Sequence, residues 1–314
     1  MNKAKVQFLN VGWGDAHLIQ HPSGTVSLID GGDGTFSDEQ DHPLLWMNRN
    51  RKDCLEWLIL THIHNDHLQG LLDIAKVKIV KKAILPYKPF LLPPKQLVQE
   101  QDDSFAMRVY LMLASYLELI EVLAEQGTDI KWRDEYGSNA DSVIWSEDGI
   151  RLSQLYPWKG DSLPAYERLA SILAHSSAEG KEVCETLIDF FELSNHDSSV
   201  YRLSDEQDLK SSVLFGGDLL EPEWERLAQR TDISSLIWKV SHHGMQDGFN
   251  SRILAWIKPE HCIIPISLER SIPLQEEWNE LRLCTKATLY MTGSFASGEK
   301  RQIHSEGILV EVGN

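Results

Sequence analysis

Three histidines and one aspartate lie within six positions of the sequence, directly after an apolar run. The stretch LILTHIHNDHLQG, residues 58–70, has the spacing H-x-H-x-D-H, formed by His62, His64, Asp66 and His67. Neutral imidazole nitrogens and carboxylate oxygens suit zinc, manganese or iron. Alternate side chains of an extended segment point the same way, so His62 and His64 can converge on one ion. Asp66 and His67 project from the turn that follows, which predicts a second ion about 3.5–4 Å from the first.

A helix start that is rich in histidine is the alternative interpretation of this stretch, because Asn65 and Asp66 are good N-cap residues. Three more polar clusters follow apolar segments later in the chain: SNHD with Asn195 and His196, GGD with Asp218, and SHHG with His242 and His243. Helix capping at residue 65 or 66 explains none of these later clusters. Their recurrence at predicted strand ends therefore favours metal ligands.

The composition is that of a folded protein with a strong negative charge. The chain has 314 residues, of which 42% are hydrophobic, and a formal net charge of −17. This charge repels a polyanion over most of the surface, which favours a small or single-stranded substrate over a long duplex. No apolar run approaches the roughly 20 residues of a membrane span, and the first residues lack a signal-peptide apolar region. We therefore expect a cytoplasmic protein without membrane contact.

The four cysteines lie far apart and form no CxxC pair, so the sequence indicates neither a disulfide framework nor a structural zinc knuckle. Strands and helices alternate along both halves of the chain. The segments KVQFLNV, AHLIQH, TVSLID and CLEWLIL are predicted strands before residue 60, and strands return from residue 198 onward. Apolar residues at helical spacing predict a mainly helical insertion at about 88–194. This insertion either covers the sheet or shapes the substrate site, within a single layered α/β domain over residues 1–314.

Six motifs resemble, in order, those of the metallo-β-lactamase-fold hydrolases, and most of all the hydrolase domain of DNA-uptake competence proteins. They are FLNVGWGDAHLI, SLIDGG, LTHIHNDH, NHDSSVYRL, LFGGD and KVSHHG, between residues 8 and 244. The resemblance implies a four-layer αββα sandwich, which the helical insertion interrupts. In the competence proteins the domain is joined to a membrane channel, so the resemblance does not imply DNA uptake by this chain.

The resemblance also implies a dinuclear centre with seven ligands. His62 and His64 would bind the first metal, Asp66 and His67 the second, and Asp218 both. The broader family places a histidine in the first site at the position of His196. The competence-like pattern instead places Asn195 there, and both assignments stay open.

The SHHG motif supplies the last ligand of the second site in this family. His243 fits the family pattern better, and His242 is the alternative. The histidine that does not bind metal would contact substrate phosphate or orient its neighbour. Asp15 in GWGD and Asp30 in LIDGG are expected to orient histidine ligands from behind the metals.

The implied activity is metal-dependent hydrolysis by a hydroxide that bridges two zinc or manganese ions, with iron as a further option. Metal-bound water, Asp66 and His242 are candidates to protonate the leaving group. We predict a phosphodiesterase or nuclease that acts on phosphodiester or nucleotide-type substrates, including single-stranded nucleic acid. Two alternatives stay open: a carboxylic ester, lactone or thioester hydrolase of the same fold, and a non-catalytic regulatory or binding component of a multi-protein system with a degenerate site.

Overall fold

Two seven-stranded sheets form the centre of the computed structural model, which describes residues 3–35, 40–137, 142–173, 179–207, 211–293 and 308–312. The first sheet contains β1 (Ala4–Phe8), β2 (His17–Gln20), β3 (Val26–Ile29), β4 (Cys54–Ile59), β5 (Ile79–Leu85), β6 (Asp129–Trp132) and β14 (Ile308–Val312). The second contains β7 (Val143–Glu147), β8 (Ile150–Tyr156), β9 (Val200–Asp205), β10 (Ser212–Phe215), β11 (Ile237–Lys239), β12 (His261–Ser267) and β13 (Thr288–Gly293).

The strand order is β14-β1-β2-β3-β4-β5-β6 in the first sheet and β13-β12-β11-β10-β9-β8-β7 in the second. In each sheet an antiparallel half meets a parallel half. The parallel strands are β3 to β6 in the first sheet and β10 to β13 in the second. Because the carboxyl ends of parallel strands meet at one edge, the loops after β3, β4, β10 and β11 come together.

Helices cover the outer face of each sheet. On the first sheet lie α1 (Pro43–Arg49), α2 (Asn65–Ala75), α3 (Lys95–Gln99), α4 (Ser104–Glu125), α5 (Pro164–Leu173) and α6 (Gly180–Leu193). On the second lie α7 (Glu221–Arg230), α8 (Ser251–Ile257) and α10 (Asn279–Thr285), and α9 (Leu268–Ser271) follows β12. Among the described residues, no helix combines the length and the apolar character that a bilayer span requires.

Adjacent residues of a strand point to opposite faces of the sheet and therefore belong to different apolar cores. Leu28 and Leu58 pack against the helices of the first sheet, whereas their neighbours Ile29 and Ile59 pack between the two sheets. This alternation follows from the two-residue period of a strand, and both faces are apolar because both are covered. The layers are helix, sheet, sheet and helix, so the predicted four-layer αββα sandwich is confirmed.

The segment at 88–194, which the sequence predicts as mainly helical, contains α3 to α6 and also the strands β6, β7 and β8. These strands include an edge of each sheet, and β6 is only four residues long, too short for a clear two-residue period. Its longest helix, α4, begins after Asp103, whose carboxylate accepts the backbone N–H groups of Phe105 and Ala106. Residues 138–141 and 174–178 lie outside the described residues.

A close glycine contact joins α2 to the loop after β3. Gly31 N–H donates to the His67 carbonyl at 2.8 Å, and Gly70 N–H donates to the Gly32 carbonyl at 3.1 Å. A Cβ atom at Gly70 would collide with the Gly31 carbonyl oxygen, so only glycine permits this approach. The contact holds the start of α2, with its histidine, against the loop that carries Asp30.

The Gly70→Ala variant tests this contact. Alanine forms helices better than glycine by about 1 kcal/mol, so propensity alone predicts stabilisation. We expect overpacking to reverse the sign and to lower the free energy of unfolding, measured in urea, by about 1–3 kcal/mol. Gln69→Ala in the same helix is the control and should change stability by no more than about 0.5 kcal/mol. A Gly70→Ala protein as stable as the wild type would contradict the packing described here.

Candidate metal centre

Strand ends bring most of the predicted residues into one cluster beside the parallel halves of the sheets. Three groups each place one nitrogen or oxygen atom per side chain within 4.8 Å of the others: Asp66, His67, Asp218 and His243; His62, His64 and Asp218; and Asp15, Asp30 and His67. Asp218 belongs to the first two groups, and His67 joins the first to the third. The side chains are buried apart from Asp66, which is partly exposed.

Hydrogen bonds orient His67 and His243 from behind. Nδ1 of His67 lies 2.9 Å from Oδ2 of Asp30, and Nδ1 of His243 lies 3.2 Å from the Pro265 carbonyl oxygen. Their Nε2 atoms therefore face the cluster, at 3.1 and 3.2 Å from Oδ2 of Asp218. Burial opposes protonation, but Asp218 and the other carboxylates raise the pKa of both imidazoles well above its usual value. Such imidazole and carboxylate contacts are places where a divalent cation can replace a proton.

His62 and His64 are neutral donors on the other side of Asp218. Burial lowers the pKa of both rings. His64 donates its Nε2–H to the Phe191 carbonyl oxygen at 3.0 Å, which leaves the Nδ1 lone pair for another partner. Nδ1 of His62 lies 3.1 Å from the Thr61 hydroxyl, and its Nε2 faces Asp218 at 3.9 Å.

The donor set fits divalent metal ions. Within the described ranges, Nε2 of His62 is buried without a hydrogen-bond partner, and Nε2 of His243 has no hydrogen bond although the carboxylates of Asp66 and Asp218 lie 3.2 Å away. Buried polar atoms are normally paired, so these two nitrogens point to a partner of another kind. Imidazole nitrogens beside carboxylate oxygens are the ligands of zinc, manganese and iron. The geometry therefore supports two adjacent metal positions that share Asp218.

The structure does not bring His196, one of the two residues that the sequence leaves open for the first site, into this cluster. Its Nδ1 lies 2.9 Å from Oε2 of Glu223, at the start of α7, and this contact raises the pKa of the ring. Its neighbour Asn195 turns the other way, with Nδ2 at 3.1 Å from Nε2 of His242. Oδ1 of Asn195 is buried and has no hydrogen-bond partner in the described part of the chain. Of these two residues, Asn195 is therefore the one with a buried oxygen atom, Oδ1, that could coordinate a metal ion.

The two histidines of SHHG point to different places. His243 enters the cluster, whereas Nδ1 of His242 lies 2.6 Å from Oδ1 of Asp247 at the rim. Both residues have a left-handed backbone, with φ of 48° for His242 and 52° for His243. This conformation costs about 1–3 kcal/mol per residue outside glycine and concentrates at functional sites. The strained turn separates the two rings.

A buried lysine in the cluster was missing from the sequence prediction. Nζ of Lys239, at the end of β11, forms an ion pair with Asp15, donates to the Gly217 carbonyl at 2.7 Å and lies 3.4 Å from Oδ1 of Asp218. Burial disfavours its charge, but Asp15 and Asp218 raise its pKa above the usual value. The available signal was a single lysine inside the apolar run LIWKV, where a buried strand tolerates a charge only if it is paired.

The predicted orienting carboxylates lie behind the cluster. Asp30 accepts the backbone N–H and the hydroxyl of Thr61, both at 2.8 Å, in addition to its contact with His67. Asp15 contacts His243 through Oδ1 at 3.4 Å as well as Lys239. Asp15, in the loop after β1, and Asp30, in the loop after β3, therefore orient the rings of His243 and His67 at the centre.

A cavity of about 280 Å³ opens beside Asp66. It lies between α4, α6 and the loop after β1, with Trp13, Phe105, Met112 and Phe191 among its walls. The helices that the sequence predicts as an insertion thus border the cluster as well as the sheet.

The comparison with protein families identifies the class. The Metallo-beta-lactamase superfamily profile matches residues 10–232, so the chain belongs to this superfamily. With the clusters described above, this supports a metal-dependent hydrolase. The search of curated protein sequences finds no match.

Three solved structures illustrate the similarity. A diphosphatase from the PhnP family is 11% identical, covers 99% of this chain and 98% of its own, and has a TM-score of 0.46. The metallo-beta-lactamase fold protein YhfI from Bacillus subtilis is 10% identical over 98% of this chain and 99% of its own, with a TM-score of 0.44. CmlA, a diiron beta-hydroxylase from Streptomyces venezuelae, is 12% identical over 92% of this chain and 52% of its own, with a TM-score of 0.46. Such similarities do not assign an activity.

The Lys239→Met variant tests the charge balance of the cluster. Removing the ammonium breaks the buried ion pairs of Lys239 with Asp15 and Asp218, so we expect the free energy of unfolding in EDTA to fall by about 3–5 kcal/mol. Lys81→Met, which removes an exposed lysine from β5, is the control and should lower the free energy of unfolding far less than Lys239→Met. Adding Asp15→Asn to Lys239→Met should recover part of the loss, because it removes one unpaired charge. A loss at Lys239 no larger than at Lys81 would show that the ion pair does not support the fold.

Proposed function

We propose that the chain is a metal-dependent phosphodiesterase with a dinuclear centre. The observation that carries this proposal is the position of Asp218 in two adjacent donor groups. In this assignment His62, His64 and Asp218 would hold the first metal, with Asn195 as a further oxygen donor. Asp66, His67, Asp218 and His243 would hold the second. Asp15 and Asp30 position the rings of His243 and His67.

Two divalent ions in these positions would supply positive charge that activates water as a nucleophile and neutralises charge developing on the scissile group. The residues around them set the conditions for binding. Four carboxylates, those of Asp15, Asp30, Asp66 and Asp218, lie close together and face three cationic groups, the Lys239 ammonium and the imidazoles of His67 and His243, whose pKa is raised. This surplus of carboxylates repels a phosphodiester anion until metal is bound. Substrate binding should therefore depend on metal as strictly as turnover does.

His242 is the proposed residue for moving a proton at the rim. Asp247 accepts its Nδ1–H, so Nε2 is the nitrogen that faces the site, where the Asn195 amide donates to it. A substrate that displaces this amide contact would meet Nε2 next to the leaving group. Asp66 is assigned as a metal ligand in place of a proton donor, because its Oδ2 lies 3.2 Å from Nε2 of His243 inside the second donor group.

The phosphodiester class rests on the motifs FLNVGWGDAHLI, NHDSSVYRL and KVSHHG, which resemble the hydrolase domain of competence proteins. The net charge of −17 favours a small or single-stranded substrate. Hydrolysis of a lactone or thioester is the second candidate, because the apolar walls of the cavity beside Asp66 also suit an acyl chain.

Turnover of model substrates tests the class. The chain loaded with zinc or manganese should hydrolyse bis-p-nitrophenyl phosphate or a single-stranded oligonucleotide, and EDTA should abolish the reaction. Asp218→Ala should lower kcat/KM by about 100-fold or more, because it removes a ligand from both metals. Asp53→Ala, which removes an exposed aspartate before β4, is the matched control and should leave kcat/KM unchanged. No turnover of either substrate, with turnover of a lactone panel, would replace this proposal with the second candidate.

Metal stoichiometry tests the choice between Asn195 and His196. We expect Asn195→Ala to weaken the binding of one of the two metals by about tenfold or more, as loss of a coordinating or neighbouring group commonly does. His196→Ala should bind both metals as the wild type does, because its ring is held by Glu223. Elemental analysis and calorimetric titration give the two affinities. Loss of a metal from His196→Ala alone would reverse the assignment, and less than one metal per wild-type chain would favour a non-catalytic component.

A further inference from the structure

We propose that the cavity beside Asp66 binds a flat aromatic ring of the substrate, of the nucleobase type, while the attached phosphate lies at the metals. This inference rests on the proposed phosphodiesterase function and adds the chemical class of the group next to the scissile phosphate. The cavity, of about 280 Å³, is close to the lower end of ligand pockets, which span about 300–1,000 Å³. Its size suits one ring system and not a folded polymer.

The walls of the cavity are aromatic on more than one side. Phe105, Val109 and Met112 lie on one face of α4 at spacings of four and three residues. The Phe105 ring meets Phe191 of α6 edge to face, with ring centres 5.2 Å apart. Trp13 lines the cavity from the loop after β1. Aromatic faces of this kind stack on bases without regard to their sequence.

Two of these walls also touch the candidate metal ligands. The Phe191 ring stacks on His64, with centres 4.3 Å apart, and the Trp13 ring lies 4.6 Å from His243. A group in the cavity is therefore one ring away from each metal position. A ring joined to a phosphate through a short sugar spans this distance.

Charge favours a neutral ring over a second phosphate in the cavity. Asp33 and Asp66 both line it, and their carboxylates would repel an anion. The one cation in the lining, among the described residues, is Arg108, whose exposed guanidinium lies 5.2 Å from the Phe105 ring centre. A planar guanidinium stacks on bases and donates to their acceptors, and the exposed Asn65 amide offers both a donor and an acceptor. An acyl chain would use neither group.

Calorimetric titration of the metal-loaded full chain tests the assignment. The probes are inorganic phosphate, ribose 5-phosphate and adenosine 5'-monophosphate, which add the sugar and the ring in turn. We expect the adenosine compound to bind about tenfold or more tightly than ribose 5-phosphate, because stacking contributes at the ring only. Met112→Trp fills the cavity and should remove this preference while the dissociation constant for phosphate stays within about twofold. Phe105→Ala, which opens one wall, should reduce the preference as well.

Arg252→Ala is the matched control, since Arg252 is also an exposed arginine over an aromatic ring, Trp256, but lies on α8. It should bind all three probes as the wild type does. Equal affinity of the wild type for the two sugar phosphates, or an undiminished preference in both cavity variants, would overturn the inference. Hexanoate is titrated as a fourth probe, and tighter binding of hexanoate than of adenosine 5'-monophosphate would assign the cavity to an acyl chain instead.

The same titrations separate this inference from the proposed function. Hydrolysis of bis-p-nitrophenyl phosphate, together with equal affinity for adenosine 5'-monophosphate and ribose 5-phosphate, would support the phosphodiesterase function and contradict the cavity assignment. The opposite outcome is binding of adenosine 5'-monophosphate that Met112→Trp abolishes, without binding of inorganic phosphate and without phosphodiester turnover. It would support the cavity assignment and contradict the phosphodiesterase function.

Discussion

The structure depends on how Asp218 is held between cations at the centre of the cluster. Its backbone N–H donates to the Ser198 hydroxyl at 2.9 Å, Lys239 approaches Oδ1, and two imidazole nitrogens approach Oδ2. A buried carboxylate without such partners would be expensive, so the surrounding positive charge is a condition of the fold. The same carboxylate is what two metal ions would share. The stability of the fold and the proposed metal binding therefore both depend on the Asp218 carboxylate.

The fold places ligands around Asp218 by bringing together the loops that follow the parallel strands of the two sheets. The loop after β10 delivers Asp218, the loop after β4 delivers His62 and His64, and the loop after β11 delivers His243. Backbone constraints fix these loops. A Cβ atom at Gly217 would collide with the Ser198 hydroxyl, and the left-handed turn at residues 242–243 sends one histidine inward and the other to the rim.

Much of the architecture could be predicted from the sequence, because local patterns carry it. The H-x-H-x-D-H spacing predicts a compact donor group without knowledge of the tertiary fold, and apolar periodicity predicts most strands and the helices α4 and α6. The strands β6, β7 and β8 were missed, because β6 and β7 are short edge strands with weak periodicity and β8 has the polar residues Ser153 and Gln154 in its buried run. The metallo-β-lactamase motifs LFGGD and KVSHHG indicate Asp218 and His243, which lie far from residue 62 in sequence but next to it in space.

Other parts of the site depend on long-range contacts that no local pattern reports. His196 and Asn195 are adjacent, and the sequence does not show which of them is a metal ligand. In the structure, Glu223, which is 27 positions from His196, holds the His196 ring outside the cluster. Lys239 is concealed in an apolar run, and its role becomes visible only when Asp15 lies beside it. The cavity likewise needs Trp13, α4 and α6 together, which are far apart in sequence but adjacent in space.

Electron paramagnetic resonance of the manganese-loaded chain tests the central claim most directly, because two ions that share a carboxylate interact magnetically. We expect two manganese ions per chain with the spectrum of a spin-coupled pair, and loss of the coupling in Asp218→Asn. A single uncoupled ion per chain under saturating manganese, or a coupled pair that is unchanged in Asp218→Asn, would contradict the shared role of Asp218.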